Sequence, residues 1–182
     1  MKVSETSLPG VLLIEPRVFA DPRGMFWETY QAKRYADAGM AAAFVQDNGS
    51  RSARGTLRGL HYQLRHTQAK LVWVTRGEVF DVVVDIRRGS PHFGRWFGTT
   101  LAGDQPRQLY TPPGFAHGFC VLSEFADFAY KCSDYYTPDD EYGIIWNDPD
   151  LGIPWPVAEP LLSAKDRGYP TLKAASRDEL FR

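Results

Sequence analysis

The chain consists of short runs of β-branched and aromatic residues, interrupted by turn-forming residues about every 8–12 positions, a spacing typical of antiparallel sheets. Turn signals such as DPRG (21–24), RRGSP (87–91) and PPG (112–114) separate the runs. The runs are VLLIEP, MFWETY, LVWVT, EVFDVVVDI, RWFGTTL, RQLYT, AHGFCVL and DFAYKCSDYY. For a chain of 182 residues they predict one mainly β domain, a sandwich or a barrel, with a substantial core.

Helical signals are few. The segment QAKRYADAGMAAAF (31–44) predicts the one clear helix of the chain. After Pro154 the sequence predicts only short helical turns, with Ser163 as a cap. The sequence contains no internal repeat, low-complexity tract or linker, so we expect a single domain.

Composition excludes several classes of partner. Charged residues make up 24% of the chain, and the formal net charge is −1 with lysine and arginine scattered along it. We therefore expect neither nucleic acid nor a membrane surface as a partner. The N-terminus lacks a signal-peptide core, and no apolar run approaches membrane-spanning length. Cys120 and Cys132 are expected to be buried free thiols, which suits a cytoplasmic location.

The segment PPGFAHGF (112–119) carries the first chemical signal. Two prolines and a glycine form a rigid turn that leads into a strand containing His117. The pattern P-x-G-x-x-H matches the second motif of the cupin superfamily of small β-barrels. Metal-binding cupins add an H-x-H from a first motif, but this chain has HYQ at 61–63. A three-ligand site is then difficult to assemble, so we expect no metal.

The segment RGLHYQ carries the second signal, because Arg58 and His61 interrupt a strand that packing alone would fill with apolar residues. Strand periodicity puts His61 and Gln63 on one face, and a bulge at Gly59 would bring Arg58 to that face as well. From these residues alone, His61 is either a buried histidine with a hydrogen-bonded partner or a proton-transfer group in a pocket.

Other polar residues of the β region extend the set of candidates. They are Tyr130 in YKCSDYY, Glu141 in DDEYG, and Lys165 and Asp166 in SAKD. Each also has a structural interpretation, since Tyr130 fits a packing aromatic and Lys165–Asp166 fits a solvated surface pair.

Seven blocks of sequence, in order between about Leu8 and Leu172, connect these candidates. They are DPRGMFWETY, VQDNGS, LRGLHYQ, QAKLVWVTRGEVFDVVVDIRRGSPHFG, QLYTPPGFAHGF, YKCSDYYTPDDEYGIIWNDPDLGIPWP and LSAKDR. With them the chain resembles the dTDP-4-dehydrorhamnose 3,5-epimerase family, sugar-nucleotide epimerases of the cupin superfamily. The resemblance implies one domain (1–182): a cupin jelly-roll β-barrel at about 51–150, an N-terminal β arm at about 1–50, and short C-terminal helices at about 151–182.

The resemblance also implies a role for each candidate. His61 matches the family's base, Asp166 the carboxylate that pairs with it, Tyr130 the acid on the opposite side of the sugar ring, and Lys70 the lysine near the sugar O4. The residues that match the lining of the nucleotide-sugar site are Arg23, Glu28, Gln46, Asn48, Arg58, His117, Glu141 and Lys165. Departures from the family pattern are small, at Gly49, Trp73 and within RHTQAK.

The implied substrate is a 4-keto-6-deoxyhexose linked to dTDP, in which C3 and C5 both flank the ketone. Removing a proton from either carbon gives an enolate, so an acid–base pair suffices and no cofactor is expected. Two alternatives stay open: a 3-only or 5-only epimerase of a related dTDP-4-keto sugar, and a non-catalytic cupin that binds a nucleotide sugar. The resemblance further implies a homodimer that exchanges N-terminal strands.

Overall fold

The computed structural model describes residues 1–182 and contains thirteen β-strands and two short α-helices. In chain order the elements are β1 (Lys2–Glu5), β2 (Leu12–Glu15), β3 (Val18–Asp21), β4 (Gly24–Trp27), α1 (Ala32–Asp37), β5 (Gln46–Ala53), β6 (Leu57–Gln63), β7 (Lys70–Arg76), β8 (Glu78–Asp85), β9 (Trp96–Ala102), β10 (Gln108–Thr111), β11 (Phe115–Val121), β12 (Phe125–Cys132), β13 (Glu141–Gly143) and α2 (Ala164–Gly168). Two 3₁₀ turns lie at Pro138–Asp140 and Arg177–Glu179. The mainly β prediction is confirmed.

Two antiparallel sheets form the body of the protein. One has six strands in the order β1-β2-β10-β7-β12-β5, and the other has five in the order β13-β6-β11-β8-β9. Their inner faces pack on each other through a buried apolar core to which both sheets contribute, for example Val72 and Phe128 from the first and Val83 and Phe119 from the second.

The five-stranded sheet is buried on both faces, which explains why β8 reads as an almost continuous apolar run. Val79 and Val83 point into the core between the sheets. Val82 and Val84 point the other way and pack against the C-terminal segment through Leu172. Because side chains alternate along a strand, Asp81 shares the inner face with Val79 and Val83. A carboxylate therefore lies inside the sandwich.

Strand β6 contains an irregularity of the kind that Gly59 allows. His61 pairs with His117 and Arg58 with Phe119, so three steps along β6 match two along β11. The extra residue adjoins Gly59, whose φ of +141° favours glycine, and a Cβ there would lie 2.6 Å from the Cα of Gly118. With this shift, Arg58 and His61 both line the same cavity.

The helix prediction for residues 31–44 is wrong in length, since α1 ends at Asp37. Gly39 adopts φ +94° and its amide donates to the Ala36 carbonyl, which closes the helix as a left-handed glycine does at many C-termini. Met40 then turns into the core beside Tyr35. The alanines that follow continue as irregular chain into β5, so tertiary packing overrides their helix propensity.

The C-terminal predictions are confirmed. α2 follows Pro154 as a short helical turn, and the Ser163 hydroxyl accepts a hydrogen bond from the Asp166 amide at its N-terminus. Cys120 and Cys132 are both buried and free. None of the helices has the length and apolar character needed to cross a membrane.

Strands β3 and β4 form a hairpin of their own that joins neither large sheet. Every residue of β3 is exposed, and Phe26 on β4 is 69% exposed. A separate hairpin with exposed aromatics is unusual in an isolated chain, because two strands alone are marginally stable in water.

Candidate active site

A cavity of about 350 Å³ opens between the two sheets and is lined mainly by polar side chains. The five-stranded sheet contributes Arg58, His61, Gln63, His117 and Glu141, and the six-stranded sheet contributes Gln46, Asn48, Lys70, Tyr130 and Cys132. Phe119 and Phe128 stack at 4.2 Å between ring centroids and form an apolar patch in its wall. Its size and mixed lining are those of a small-molecule site.

His61 lies on β6 at the wall of this cavity and is paired with Asp166 of α2. The His61 Nε2 atom lies 2.5 Å from the Asp166 Oδ1 atom, and the Ser163 hydroxyl donates to Oδ2 at 2.8 Å. Burial opposes ionisation of Asp166, but the hydrogen bonds from His61 and Ser163 outweigh it and lower the pKa of Asp166. An ionised Asp166 fixes the proton on Nε2, which leaves Nδ1 as the nitrogen that can accept another.

A second histidine–aspartate pair lies deeper between the sheets. The His117 Nε2 atom is 3.0 Å from both carboxylate oxygens of Asp81, whose side chain is fully buried. Burial raises the pKa of Asp81, and the neighbouring His117 only partly offsets this. Sequence reasoning missed Asp81, although an aspartate inside the apolar run EVFDVVVDI is the signal that marks it.

Tyr130 and Lys70 reach the cavity from the opposite sheet to His61. Tyr130 lies on β12, and burial is the main factor that raises its pKa above the usual phenol value. Lys70 lies on the neighbouring strand β7, where burial lowers the pKa of its ammonium. The protein supplies no hydrogen-bond partner to the Lys70 ammonium or to the Tyr130 hydroxyl. Both polar groups are therefore available to a molecule in the cavity.

The rim of the cavity holds the other polar candidates together. Gln46 Nε2 donates to Asn48 Oδ1 at 3.0 Å, and Gln46 Oε1 accepts from the Tyr136 amide at 2.9 Å. Glu141 accepts hydrogen bonds from the Tyr136 hydroxyl at 3.1 Å and from the Lys165 ammonium. Lys165 itself is exposed and touches the site only through Glu141.

Arg58 is exposed at the cavity edge, and its Nε donates to the Ser52 hydroxyl at 3.1 Å. Its guanidinium keeps further donors free, which suits a phosphate group at this edge.

Arg23 and Glu28 do not reach this cavity within the same chain. Arg23 sits at the exposed tip of the β3–β4 hairpin and pairs with Asp21 at 2.5 Å. Glu28 pairs with Arg34 at 2.6 Å just after the hairpin.

The donor set of the cavity does not resemble a metal centre. Nowhere in the chain do three histidine, cysteine, aspartate or glutamate side chains cluster closely enough to hold a metal ion. Within the cavity, each histidine is instead paired with a carboxylate of its own.

The family model for dTDP-4-dehydrorhamnose 3,5-epimerase matches residues 5–174, which is nearly the whole chain. The chain belongs to the dTDP-4-dehydrorhamnose 3,5-epimerase family. The predicted family, its cupin-like jelly-roll fold and the isomerase class are thereby confirmed.

Two similar proteins are named as 3,5-epimerases of dTDP-linked sugars. The dTDP-4-dehydrorhamnose 3,5-epimerase of Pseudomonas aeruginosa is 57% identical over 169 residues, which cover 92% of this chain and 93% of that protein. The crystal structure of the Legionella pneumophila dTDP-6-deoxy-D-glucose-3,5-epimerase, in complex with dTDP-4-keto-L-rhamnose, matches with a TM-score of 0.97 and 52% identity, covering 100% of this chain and 97% of that one.

A third similar protein differs in name. The dTDP-4-dehydrorhamnose 3-epimerase of Streptomyces niveus is 43% identical over 180 residues, covering 98% of this chain and 86% of that protein.

Proposed function

We propose that the protein inverts C3 and C5 of a dTDP-linked 4-keto-6-deoxyhexose, converting dTDP-4-dehydro-6-deoxy-D-glucose to dTDP-4-dehydro-L-rhamnose. The observation that carries this is the position of His61 and Tyr130 on opposing sheets, at two walls of one cavity. Inversion of a carbon requires a proton to leave from one face and return to the other. A base and an acid facing a sugar ring from opposite walls meet that requirement.

His61 acts as the base in this proposal. Its Nδ1 removes the proton next to the ketone, and the imidazolium that results is stabilised by Asp166 at Nε2. The electron pair of the broken C–H bond moves onto O4 and forms an enolate. Because Asp166 is ionised and almost fully buried, its charge acts on the imidazole with little screening by water.

Lys70 and Tyr130 complete the cycle. The Lys70 ammonium lies free in the cavity and donates to O4, where negative charge develops. Tyr130 remains protonated at neutral pH because its pKa is raised, and it delivers a proton to the opposite face of the carbon. His61 and Tyr130 are then restored by exchange with water before the second carbon reacts. The sequence of steps uses no cofactor.

The nucleotide end of the substrate fits the polar edge of the cavity. Arg58 offers planar donors to the diphosphate, and Gln46 and Asn48 offer amide groups beside it. His117, held by Asp81, and Glu141, held by Lys165, provide further hydrogen-bonding groups for the sugar. These roles rest on the residues that the family resemblance marked and on their common cavity.

We propose that the protein is a homodimer in which each subunit supplies Arg23 and Glu28 to the active site of the other. The support is the β3–β4 hairpin, which stands outside both sheets with Phe19 and Phe26 more than half exposed. A second subunit would cover these rings and complete the diphosphate end of the site with Arg23. We also propose a reducing cytoplasmic location, since Cys120 and Cys132 are unpaired.

Proton exchange in D₂O tests the chemistry directly. The protein is incubated with the 4-keto sugar nucleotide, and NMR follows deuterium at C3 and C5 together with the configuration of each carbon. We expect deuterium and inversion at both carbons, and neither in His61→Asn. Deuterium and inversion at C3 alone would assign the activity of the S. niveus relative. Tight binding of the sugar nucleotide without exchange would identify a non-catalytic binding protein and refute the proposal.

Mixing two inactive variants tests the dimer. If each site combines its own His61 with the partner's Arg23, an equimolar mixture of refolded His61→Asn and Arg23→Ala regains about a quarter of the wild-type activity, because half of the dimers are mixed and one of their two sites is intact. No recovery, with mixed dimers confirmed by native mass spectrometry, would place Arg23 outside the partner's site.

A further inference from the structure

Tyr169 lies directly behind the proposed base. It follows α2 by one residue, and its ring packs edge-to-face on the His61 imidazole with 5.7 Å between centroids and 68° between planes. Asp166, the hydrogen-bond partner of His61, precedes it by one helical turn. The short C-terminal helix therefore delivers two different contacts to one imidazole.

Gly143 creates the space that the Tyr169 ring occupies. In the pairing of β13 with β6, Gly143 lies opposite His61. A Cβ at Gly143 would come within 2.5 Å of the Tyr169 ring, so the ring rests on the glycine backbone where a side chain would otherwise stand. The Ile145 amide donates to the Pro170 carbonyl at 2.9 Å and fixes the chain on either side of this contact. The ring is thus seated by main-chain interactions.

The two contacts on His61 restrain different motions. Nε2 lies nearer to the Cβ–Cγ axis than Nδ1 does, so the hydrogen bond to Asp166 holds the tip of the ring but restrains rotation about that axis only weakly. The final torsion of histidine is intrinsically broad. A flat ring packed on the imidazole limits this torsion, and the torsion determines where Nδ1 points.

The hydroxyl of Tyr169 adds nothing to this restraint. It is buried and has no hydrogen-bond partner in the protein. Burial also raises the pKa of Tyr169 to about 12, so the group stays neutral at working pH. What Tyr169 offers His61 is an aromatic surface, which phenylalanine would offer equally well.

We propose that Tyr169 is a positioning residue for the reaction: its ring, seated on Gly143, sets the rotation of the His61 imidazole so that Nδ1 points into the cavity. This rests on the proposed role of His61 as the base. Misplacement of a reacting atom by about 1 Å can cost on the order of 10² in rate. Loss of the ring therefore slows proton removal without weakening the hold on the nucleotide, which lies at the Arg58 side of the site.

The test compares Tyr169→Phe, Tyr169→Leu and Tyr169→Ala, with Tyr135→Ala as the matched control because Tyr135 is 65% exposed. kcat, KM, the rate of deuterium exchange at C5, and dTDP affinity by calorimetry are measured for each variant. We expect Tyr169→Phe and Tyr135→Ala to stay within about twofold of wild type, since neither loses the packed ring. Tyr169→Leu and Tyr169→Ala should lose about tenfold or more in kcat and exchange, with dTDP affinity unchanged.

Gly143→Ala provides an independent arm, since its methyl group displaces the same ring without altering Tyr169. It should reproduce the kcat loss of Tyr169→Leu, so the proposal remains testable if Tyr169→Ala fails to fold. Wild-type exchange rates in Tyr169→Leu, or equal losses of kcat and dTDP affinity, would overturn the proposal. Absence of exchange in the wild-type protein would instead refute the epimerase function itself.

Discussion

His61 and His117 lie directly opposite each other on β6 and β11, yet each imidazole binds a different carboxylate. His61 pairs with Asp166 of the C-terminal helix and keeps 27% of its side chain exposed to the cavity, whereas His117 pairs with the fully buried Asp81 and keeps 8%. Their accessibility separates their expected functions. The exposed pair can exchange protons with a substrate, and the buried pair forms a fixed wall of the site.

Replacing each carboxylate in turn tests this division. Asp166→Asn removes the charge that stabilises the His61 imidazolium, so we expect kcat to fall by about 10²–10⁴, as when the carboxylate of a catalytic triad is replaced. Asp81→Asn alters a wall contact and should raise KM more than it lowers kcat. Steady-state kinetics on both variants provides the measurement. If Asp81→Asn lowers kcat as much as Asp166→Asn does, the His117–Asp81 pair also takes part in proton transfer.

Tyr130→Phe separates exchange from inversion. The ring and its packing remain, and only the hydroxyl is lost. The enolate still forms at His61, and the proton returns to its original face, so deuterium exchange at C5 continues while net inversion falls by about 10² or more. NMR in D₂O measures both rates on one sample. Inversion at the wild-type rate would exclude Tyr130 and direct attention to Tyr136, which also lines the cavity.

Lys70→Met should differ from Tyr130→Phe in its effect on deuterium exchange. Methionine retains the length of the side chain but offers no charge to O4, so the enolate loses its main stabilisation. We expect exchange and inversion to fall together by about 10²–10³, a loss typical of removing one donor from the site of developing charge. If exchange persists while inversion alone falls, Lys70 does not stabilise the enolate.

Dialysis against a chelator addresses metal dependence. The histidines of the cavity are each bound to a carboxylate, and no cluster of three ligands exists. We therefore expect turnover to be unchanged after dialysis against EDTA. Loss of turnover that one divalent ion restores would contradict the acid–base mechanism.

Asp85 allows a prediction for stability against pH. Burial opposes its ionisation, but hydrogen bonds from Arg87 and Ser90 outweigh burial and lower the pKa of Asp85. A carboxylate whose pKa is lowered by folding stabilises the folded state at pH values above its unfolded-state pKa of about 3.9. This stabilisation is lost as the pH falls through the folded-state pKa. Asp85→Asn should therefore lower the free energy of unfolding by about 2–3 kcal/mol at pH 7, and by progressively less below pH of about 4.

Urea unfolding at several pH values measures that difference. Asp127→Asn serves as the control, because Asp127 pairs with a mostly exposed Arg51 and should change stability far less. If the loss of unfolding free energy in Asp85→Asn stays constant down to the lowest pH, packing and not charge determines that loss.

Several parts of the fold followed from local patterns. The apolar runs predicted the long strands β7, β8, β11 and β12. Alternation of side chains and turn-forming residues are local signals, which can be recognised within a few positions of the sequence. Strand β5 was not predicted, because its inner residues Gln46, Asn48 and Ser50 line a cavity and are polar. A strand that faces a site on one side and solvent on the other has no apolar face to reveal it.

By itself, the sequence determined the β class and the cap at Ser163, because each depends on neighbours in the chain, and it allowed a bulge at Gly59. The candidate acid and base were marked by the resemblance to the family. Only the tertiary structure decided which partners meet. His61 and Asp166 are 105 residues apart, and Tyr130 faces them because it belongs to the opposing sheet. Likewise, helix α1 ends early and Asp81 finds His117 through packing between the sheets. Contacts of this kind depend on how two sheets close over one another, which no local pattern encodes.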